Sequence, residues 1–379
     1  MRYRRLCAIA LLTATCLFMA GCQPTEKENE GEPVTEITDL TDESFVNLYG
    51  RNASGDEGTT FFNAASGFEV RFFGTSLTVE ASAYGTWDSM FSVFVDGEKD
   101  DARVVTVPTG GFSTLSLTLA ENLAEGEHTV KALKRTDSYR SATVVGKIRT
   151  DGKFLPSPAR PALKIQFFGD SITNGSGVLR QTGYDAATGK YTDSNVYTAA
   201  TQNGLLSYAY VAAERLGAEA QYYGRGGIAM NYSTEARTVL NNPAAVAVDL
   251  DPAQYPYDYN SWTPDVVVIY LGTNDYNIGT KNPTLGYSPD GLKVAFVQFL
   301  RSVIGAYYGT EIPVVLCSGM MVPAAGLGDI MESVKRMLPE FTNLQTLEFS
   351  PCAIGHPVVE EDRVAGELLA AKISGMLGL

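Results

Sequence analysis

The chain has 379 residues, 45% of them hydrophobic and 19% charged, which gives room for two cores and excludes a disordered polypeptide. Its formal net charge of −14, about −17 once the three arginines of the first 21 residues are set aside, repels phosphate backbones and anionic bilayers. Nucleic acid is therefore not an expected partner.

The N-terminus reads as an address. "MRYRR" is a basic segment and "LCAIALLTATCLFMA" an uncharged apolar one, so residues 1–21 are expected to be a secretory signal peptide. The segment ends in "FMAGC", which resembles the bacterial lipobox, with Met19 where that pattern prefers Leu. That pattern makes Cys22 the lipidated first residue of the mature chain. "QPTEKENEGEPVTE" then reads as a flexible, lipid-anchored tether over residues 22–45. The expected location is the bacterial cell envelope, in the periplasm or on the outer membrane surface, with membrane contact through the lipid alone.

Cys7 and Cys16 belong to the signal, which leaves Cys317 and Cys352 in the folded part. They have no CxxC spacing and no second His nearby, so no metal is expected; the two could pair in an oxidising compartment, but free buried thiols are the expectation. No phosphate loop or dinucleotide fingerprint occurs, and no cofactor is implied.

Residues 46–155 read as a β-domain. "FEVRFFG" (Phe68–Gly74), "SLTVEAS" (Ser76–Ser82), "FSVFVDG" (Phe91–Gly97), "ARVVTVP" (Ala102–Pro108), "STLSLTLA" (Ser113–Ala120) and "HTVKALKR" (His128–Arg135) alternate or run β-branched between turn residues. Short strands at regular spacing without helices predict a β-sandwich, with His128 structural. The Pro-rich "FLPSPARPA" (Phe154–Ala162) marks a boundary.

Residues 162–379 have another texture. "LKIQFFG" (Leu163–Gly169), "AEAQYYG" (Ala218–Gly224), "DVVVIYLG" (Asp265–Gly272), "IPVVLCSG" (Ile312–Gly319) and "LQTLEFS" (Leu344–Ser350) are near-continuous apolar runs separated by helical patterns. Strands buried on both faces and alternating with helices predict an α/β domain of three layers around a parallel sheet. A closing helix is expected from Val359 to about Leu377.

Chemistry-bearing residues follow these strands. Ser171 follows the first, "GRGG" (Gly224–Gly227) the second, "GTND" (Gly272–Asp275) the third and "CAIGHP" (Cys352–Pro357) the last. Parallel strands deliver their carboxyl ends to one edge, so these four loops can converge.

"FFGDSITNG", "GRGGI", "GTND" and "GHP" in this order resemble the motifs of SGNH (GDSL-type) hydrolases. "GFEVRFFGTSL", "FSVFVDG" and "LAEGEHTVKALKRT" are similar to the N-terminal module of carbohydrate esterase family two, whose members are acetyl xylan esterases. The resemblance covers about Leu48 to Leu379 and implies an SGNH domain behind a jelly-roll-like sandwich. It implies Ser171 as nucleophile and His356 as base. It also implies an oxyanion hole made by the backbone N–H groups of Ser171 and Gly227 and the side-chain amide of Asn274. A side chain at position 227 is expected to block the substrate, and Asp170 and Asp275 to brace their loops.

One position departs from the pattern. SGNH enzymes place an Asp two or three residues before the His; here Ile354 and Ala353 stand there. Either a backbone carbonyl or another polar group holds His356 in a Ser–His dyad, or the domain is slow or inactive. Glu348 has no expected role, and Glu360, Glu361 and Asp362 are expected on a solvated helix surface. Two Tyr-containing stretches, Val178–Asn203 and Leu250–Trp262, are expected to shape the substrate site.

The expected function is removal of O-acetyl groups from xylan-type polysaccharide or its oligosaccharides by an exported lipoprotein. The alternatives are an SGNH esterase for a feruloyl, lipid or small-molecule ester, and a glycan-binding lipoprotein without catalysis.

Overall fold

The computed structural model describes residues 32–98, 103–110, 113–194, 196–321 and 326–379. The expected signal segment and Cys22 lie outside these residues.

The first domain contains strands β1 (Glu36–Ile37), β2 (Val46–Tyr49), β3 (Asn52–Gly55), β4 (Gly58–Phe61), β5 (Gly67–Gly74) and β6 (Leu77–Gly85). It continues with β7 (Ser89–Val95), β8 (Arg103–Val107), β9 (Leu115–Ala120), β10 (Gly126–Lys134), β11 (Ser141–Thr150) and β12 (Lys153–Leu155). They form two antiparallel sheets, β3-β4-β11-β6-β9 with β1 beside β11, and β12-β5-β10-β7-β8 with β2 beside β5. Alternation decides what enters the sandwich. In β5, Phe68, Val70 and Phe72 are buried between the sheets, while Glu69, Arg71 and Phe73 face out. The expected tether to residue 45 is shorter in the structure. Glu36–Ile37 pairs with Ile148–Arg149, and Ile37 and Leu40 are buried in the sandwich core, because two apolar side chains in that stretch gain more from burial than from solvation.

The second domain contains β13 (Lys164–Gly169), the hairpin β14 (Thr182–Asp185) and β15 (Lys190–Asp193), α1 (Tyr208–Arg215), β16 (Glu219–Gly224), β17 (Val266–Tyr270) and α2 (Thr273–Lys281). Then come α3 (Pro289–Phe299), β18 (Val314–Gly319), α4 (Leu327–Met337), β19 (Leu344–Phe349) and α5 (Val359–Leu377). The sheet is parallel throughout, in the order β16-β13-β17-β18-β19. The central strands are covered on both faces. Phe167, Tyr222 and Val268 pack toward α1 and α5, and Phe168, Tyr223 and Ile269 pack toward α3 and α4. The order in which strands are added reverses at β13, with β16 on one side and β17 on the other, which creates the crevice where such sheets keep ligands.

The domains are fastened by a cation. Arg51, fully buried, leaves the sandwich and lies over the rings of Tyr257 at 3.7 Å and Tyr223 at 4.1 Å. Its Nη1 donates to the Ala245 carbonyl at 2.9 Å. The Tyr-rich stretch 250–262, expected at the substrate site, supplies this cage, and its tyrosines do not line the active-site cavity. The reason is charge: a buried guanidinium needs electron-rich ring faces and carbonyls, and Tyr257 and Tyr259 of this stretch supply rings while Pro243 and Ala245 supply the carbonyls.

Candidate active site

Ser171 sits immediately beyond β13, and Asn274 in the first turn of α2 beyond β17, so they flank the switch point from either side. The Ser171 hydroxyl lies 2.8 Å from Nε2 of His356, although 185 residues separate them. Both line a cavity of about 300 Å³ together with Gly226, Gly227 and Asn274.

Tyr197 meets the other face of the His356 imidazole. Its hydroxyl is 3.2 Å from Nδ1, and the two rings meet edge to face at 5.3 Å. It takes the place that sequence left vacant at Ile354 and Ala353. For Nε2 to accept the Ser171 proton, Nδ1 must carry the ring proton and donate it to the Tyr197 oxygen. Gly177 makes room, since a Cβ there would stand 2.5 Å from the Tyr197 ring, and its φ of +71° suits glycine.

The loop that carries His356 has no regular structure of its own, and the side chains of Arg180 and Glu361 hold it. Arg180, fully buried, donates to the carbonyls of Ile354 at 2.8 Å and Pro357 at 3.2 Å, and also to that of His356. Its Nε is paired with Asp193 at 3.0 Å. Glu361 accepts the N–H groups of Ala353 at 2.7 Å and Val358 at 3.0 Å. Asp362 is buried and accepts the N–H of Tyr208 at 2.8 Å. Glu361 and Asp362 are thus not the solvated surface expected of them. The first turn of α5 lies against the loop, and its carboxylates satisfy backbone donors that nothing else reaches.

These surroundings set the proton affinity of His356. Burial, joined by the Arg180 guanidinium, pushes its imidazole down to about 4, and Asp193 opposes them. The ring is neutral at ordinary pH and free to accept a proton.

Gly227 has φ +79°, and a Cβ there would meet no protein atom, so it would occupy open space at the cavity. The Asn274 amide donates to Ile228 O at 2.9 Å and to Asp170 Oδ2 at 3.2 Å. Asp170 is buried, and desolvation raises its carboxyl to about 7. Asp275 accepts the N–H groups of Met230, Asn231 and Tyr232 at 2.7–2.8 Å and so braces the chain beyond Gly227.

The sandwich contributes a wall. Asp137, in the turn between β10 and β11, accepts the N–H of Gly226 at 2.8 Å, and Trp87, Tyr139 and Arg140 line the cavity beside it. That turn is wound around Lys134, fully buried, whose ammonium donates to the carbonyls of Phe62, Thr136, Asp137 and Ser141 at 2.8–3.3 Å. Burial lowers Lys134 to about 7. Sequence gave no sign of this wall, because a turn in one domain reveals nothing of its contact with another.

Cys317 and Cys352 are free and buried. His128 lies in β10, away from the cavity.

A serine hydroxyl against an imidazole at the switch point of an α/β sheet is an arrangement that can carry out acyl transfer. Residues 48–158 match the family described as carbohydrate esterase 2 N-terminal, and residues 165–322 match the GDSL-like lipase/acylhydrolase family. The second domain thus resembles the GDSL-type hydrolases, and the first the N-terminal domain of carbohydrate esterase family 2. It is 31% identical over 229 residues to the cellulase/esterase CelE of Acetivibrio thermocellus, a match over 58% of this chain but only 25% of that protein's length. It is 26% identical over 281 residues to an acetylxylan esterase/glucomannan deacetylase of Cellvibrio japonicus, covering 72% of this chain and 71% of that one. In fold it resembles a family two carbohydrate esterase from Clostridium thermocellum solved with cellohexaose, with a TM-score of 0.74 at 23% identity over 88% of this chain and 99% of that one.

Proposed function

We propose that this chain is a carbohydrate esterase that removes O-acetyl groups from xylan-type polysaccharide or its oligosaccharides through an acyl-enzyme. The observation that carries the reading is the 2.8 Å approach of the Ser171 hydroxyl to Nε2 of a neutral imidazole inside a cavity walled by both domains. The names of its sequence relatives supply the substrate class.

The reading assigns the steps as follows. Ser171 Oγ attacks the acetyl carbonyl carbon while its proton passes to His356 Nε2. The carbonyl oxygen becomes an oxyanion facing the N–H groups of Ser171 and Gly227, and the Asn274 amide, whose two hydrogens are held by Ile228 O and Asp170, exchanges one of those acceptors for it. The tetrahedral adduct collapses, the C–O bond to the sugar breaks, and the imidazolium returns its proton to the departing sugar oxygen. Water repeats the sequence on the acetyl-serine, which releases acetate and restores the hydroxyl. Through both halves Nδ1–H points at the Tyr197 oxygen, and the chain alone supplies the groups required.

Acetate release from acetylated xylan and acetylated glucomannan tests the reading. Wild type turns over and Ser171→Ala does not; hydrolysis that survives in Ser171→Ala removes the nucleophile assignment. Release of ferulate or fatty acid but not acetate reassigns the ester, and binding without turnover leaves only a glycan-binding role.

We further infer export and anchoring through a lipid on Cys22, a reading supported by the basic and apolar segments before "AGC". Cys22→Ser is expected to move the protein from the membrane fraction to the soluble one, and unchanged membrane association contradicts it.

A further inference from the structure

Two arginines meet the ring of Tyr139 beside the active-site cavity. Arg225 and Arg140 each stand 4.5 Å from its centroid. Their electrostatic circumstances differ. Arg225 is buried and paired with both Glu235 and Asp249. Arg140 is only half-buried, and its side chain makes no hydrogen bond or ion pair among the described residues; its guanidinium is instead 4.3 Å from the Trp87 centroid as well.

None of the carboxylates lining the same cavity pairs with Arg140. Glu235 is held by Arg225, Asp170 by Asn274 and the N–H of Ile172, and Asp137 accepts the N–H of Gly226 through Oδ2, while its Oδ1 has no partner among the described residues. Arg140 is thus an unpaired cation in a chain with 43 acidic and 29 basic residues. It is also fixed in place. Its carbonyl accepts the N–H groups of Thr86 at 2.7 Å and Trp87 at 3.2 Å, which ties the β6–β7 turn to the β10–β11 turn. A guanidinium stacked between rings keeps its planar fork and loses little freedom on binding a carboxylate.

We propose that Arg140, held between Trp87 and Tyr139, binds the carboxylate of an acidic sugar near the acetylated one, so that the preferred substrates are acetylated glycans bearing uronic acid. This rests on the esterase reading for the kind of ligand, and on the unpaired arginine for its charge. The stacked aromatics suit the apolar face of the same sugar ring.

The test compares kcat/KM for acetate release from two acetylated xylo-oligosaccharides that differ only in one uronic acid branch. Wild type is expected to favour the charged substrate about fivefold or more at low salt, with the preference shrinking in high salt as exposed charges are screened. Arg140→Gln brings the ratio to about one, while Arg140→Lys, which keeps the charge and the ring contacts without the fork, retains part of it. Equal kcat/KM for the two substrates in wild type, or a preference that survives Arg140→Gln, overturns the proposal. Failure to release acetate from either substrate counts against the esterase reading instead. Calorimetric titration of the same two oligosaccharides then decides the subsite: tighter binding of the charged one to wild type but not to Arg140→Gln supports it, and equal binding refutes it.

Discussion

The two histidines of this chain stand in contrasting company. His128, in β10, has Asp96 Oδ2 2.7 Å from Nδ1 and the Ala124 carbonyl 2.8 Å from Nε2. Both partners can only accept, so the ring makes both bonds only as a cation, and the Ala124 carbonyl and then Asp96 raise its pKa. His356 lies between two hydroxyls, those of Ser171 and Tyr197, which can donate or accept. Burial and Arg180 lower it to about 4. Acceptors at both nitrogens favour the charged imidazole at His128, whereas burial and a nearby guanidinium favour the neutral base at His356.

The largest effects come from breaking the hydroxyl side of that contrast. His356→Ala and Ser171→Ala are each expected to lower kcat by about 10⁴-fold to 10⁶-fold with the fold intact by circular dichroism. A His356→Ala enzyme within tenfold of wild type contradicts the assigned base. Asn274→Ala removes the proposed oxyanion donor and is expected to cost about 10²-fold to 10³-fold in kcat, with KM for acetylated xylan little changed. A loss confined to KM places Asn274 on the substrate rather than on the developing charge.

What was legible in the sequence follows from how local each signal is. The parallel sheet was readable because β13, β16, β17 and β18 are near-continuous apolar runs, and Ser171 because it follows one of them at a turn. β11, at ten residues the longest strand of the sandwich, gave a weaker pattern. Its register shifts between Val145 and Lys147, which breaks the alternation on which the reading depends. The partner of Nδ1 was harder still. Tyr197 lies 159 residues from His356 in a polar stretch, and only folding brings it within 3.2 Å. The stretch Val178–Asn203 did read as part of the site, but as a rim for substrate rather than as the source of Arg180, Asp193 and Tyr197. Sequence finds residues that act where they sit in a motif, and misses those that act through a neighbour from another segment.

Tyr197→Phe sharpens the contrast with a smaller effect. It leaves the Nδ1 proton of His356 without its acceptor, so both the productive tautomer and the imidazolium formed in the reaction lose support. We expect about a tenfold drop in kcat, roughly one hydrogen bond to a charged group. In wild type, kcat/KM should rise through about pH 4 as His356 loses its proton and stay level through neutrality. Loss of the acceptor moves that acid limb lower still. An acid limb near 6.5 in wild type shows that the ring is solvated and contradicts its burial.

His128→Gln gives the smallest effect and the clearest test of sign. The folded-state pKa of His128 is raised above 6.5, so its stabilisation is fully present below the unfolded value and is lost as pH rises through the folded one. The penalty of His128→Gln should therefore be greater at pH 5 than at pH 8, and no more than about 1 kcal/mol at this partly exposed ion pair. His356 has the opposite sign. Its folded pKa is depressed, so between 6.5 and about 4 the unfolded chain binds a proton that the folded one refuses, and stability falls with falling pH. His356→Gln removes that liability and should gain on wild type at pH 5 relative to pH 8, whereas His128→Gln loses. Denaturant titrations of both variants at the two pH values read the difference directly. Two curves that shift in the same direction mean that partner chemistry does not separate the two rings, and the neutral base at Ser171 loses its physical basis.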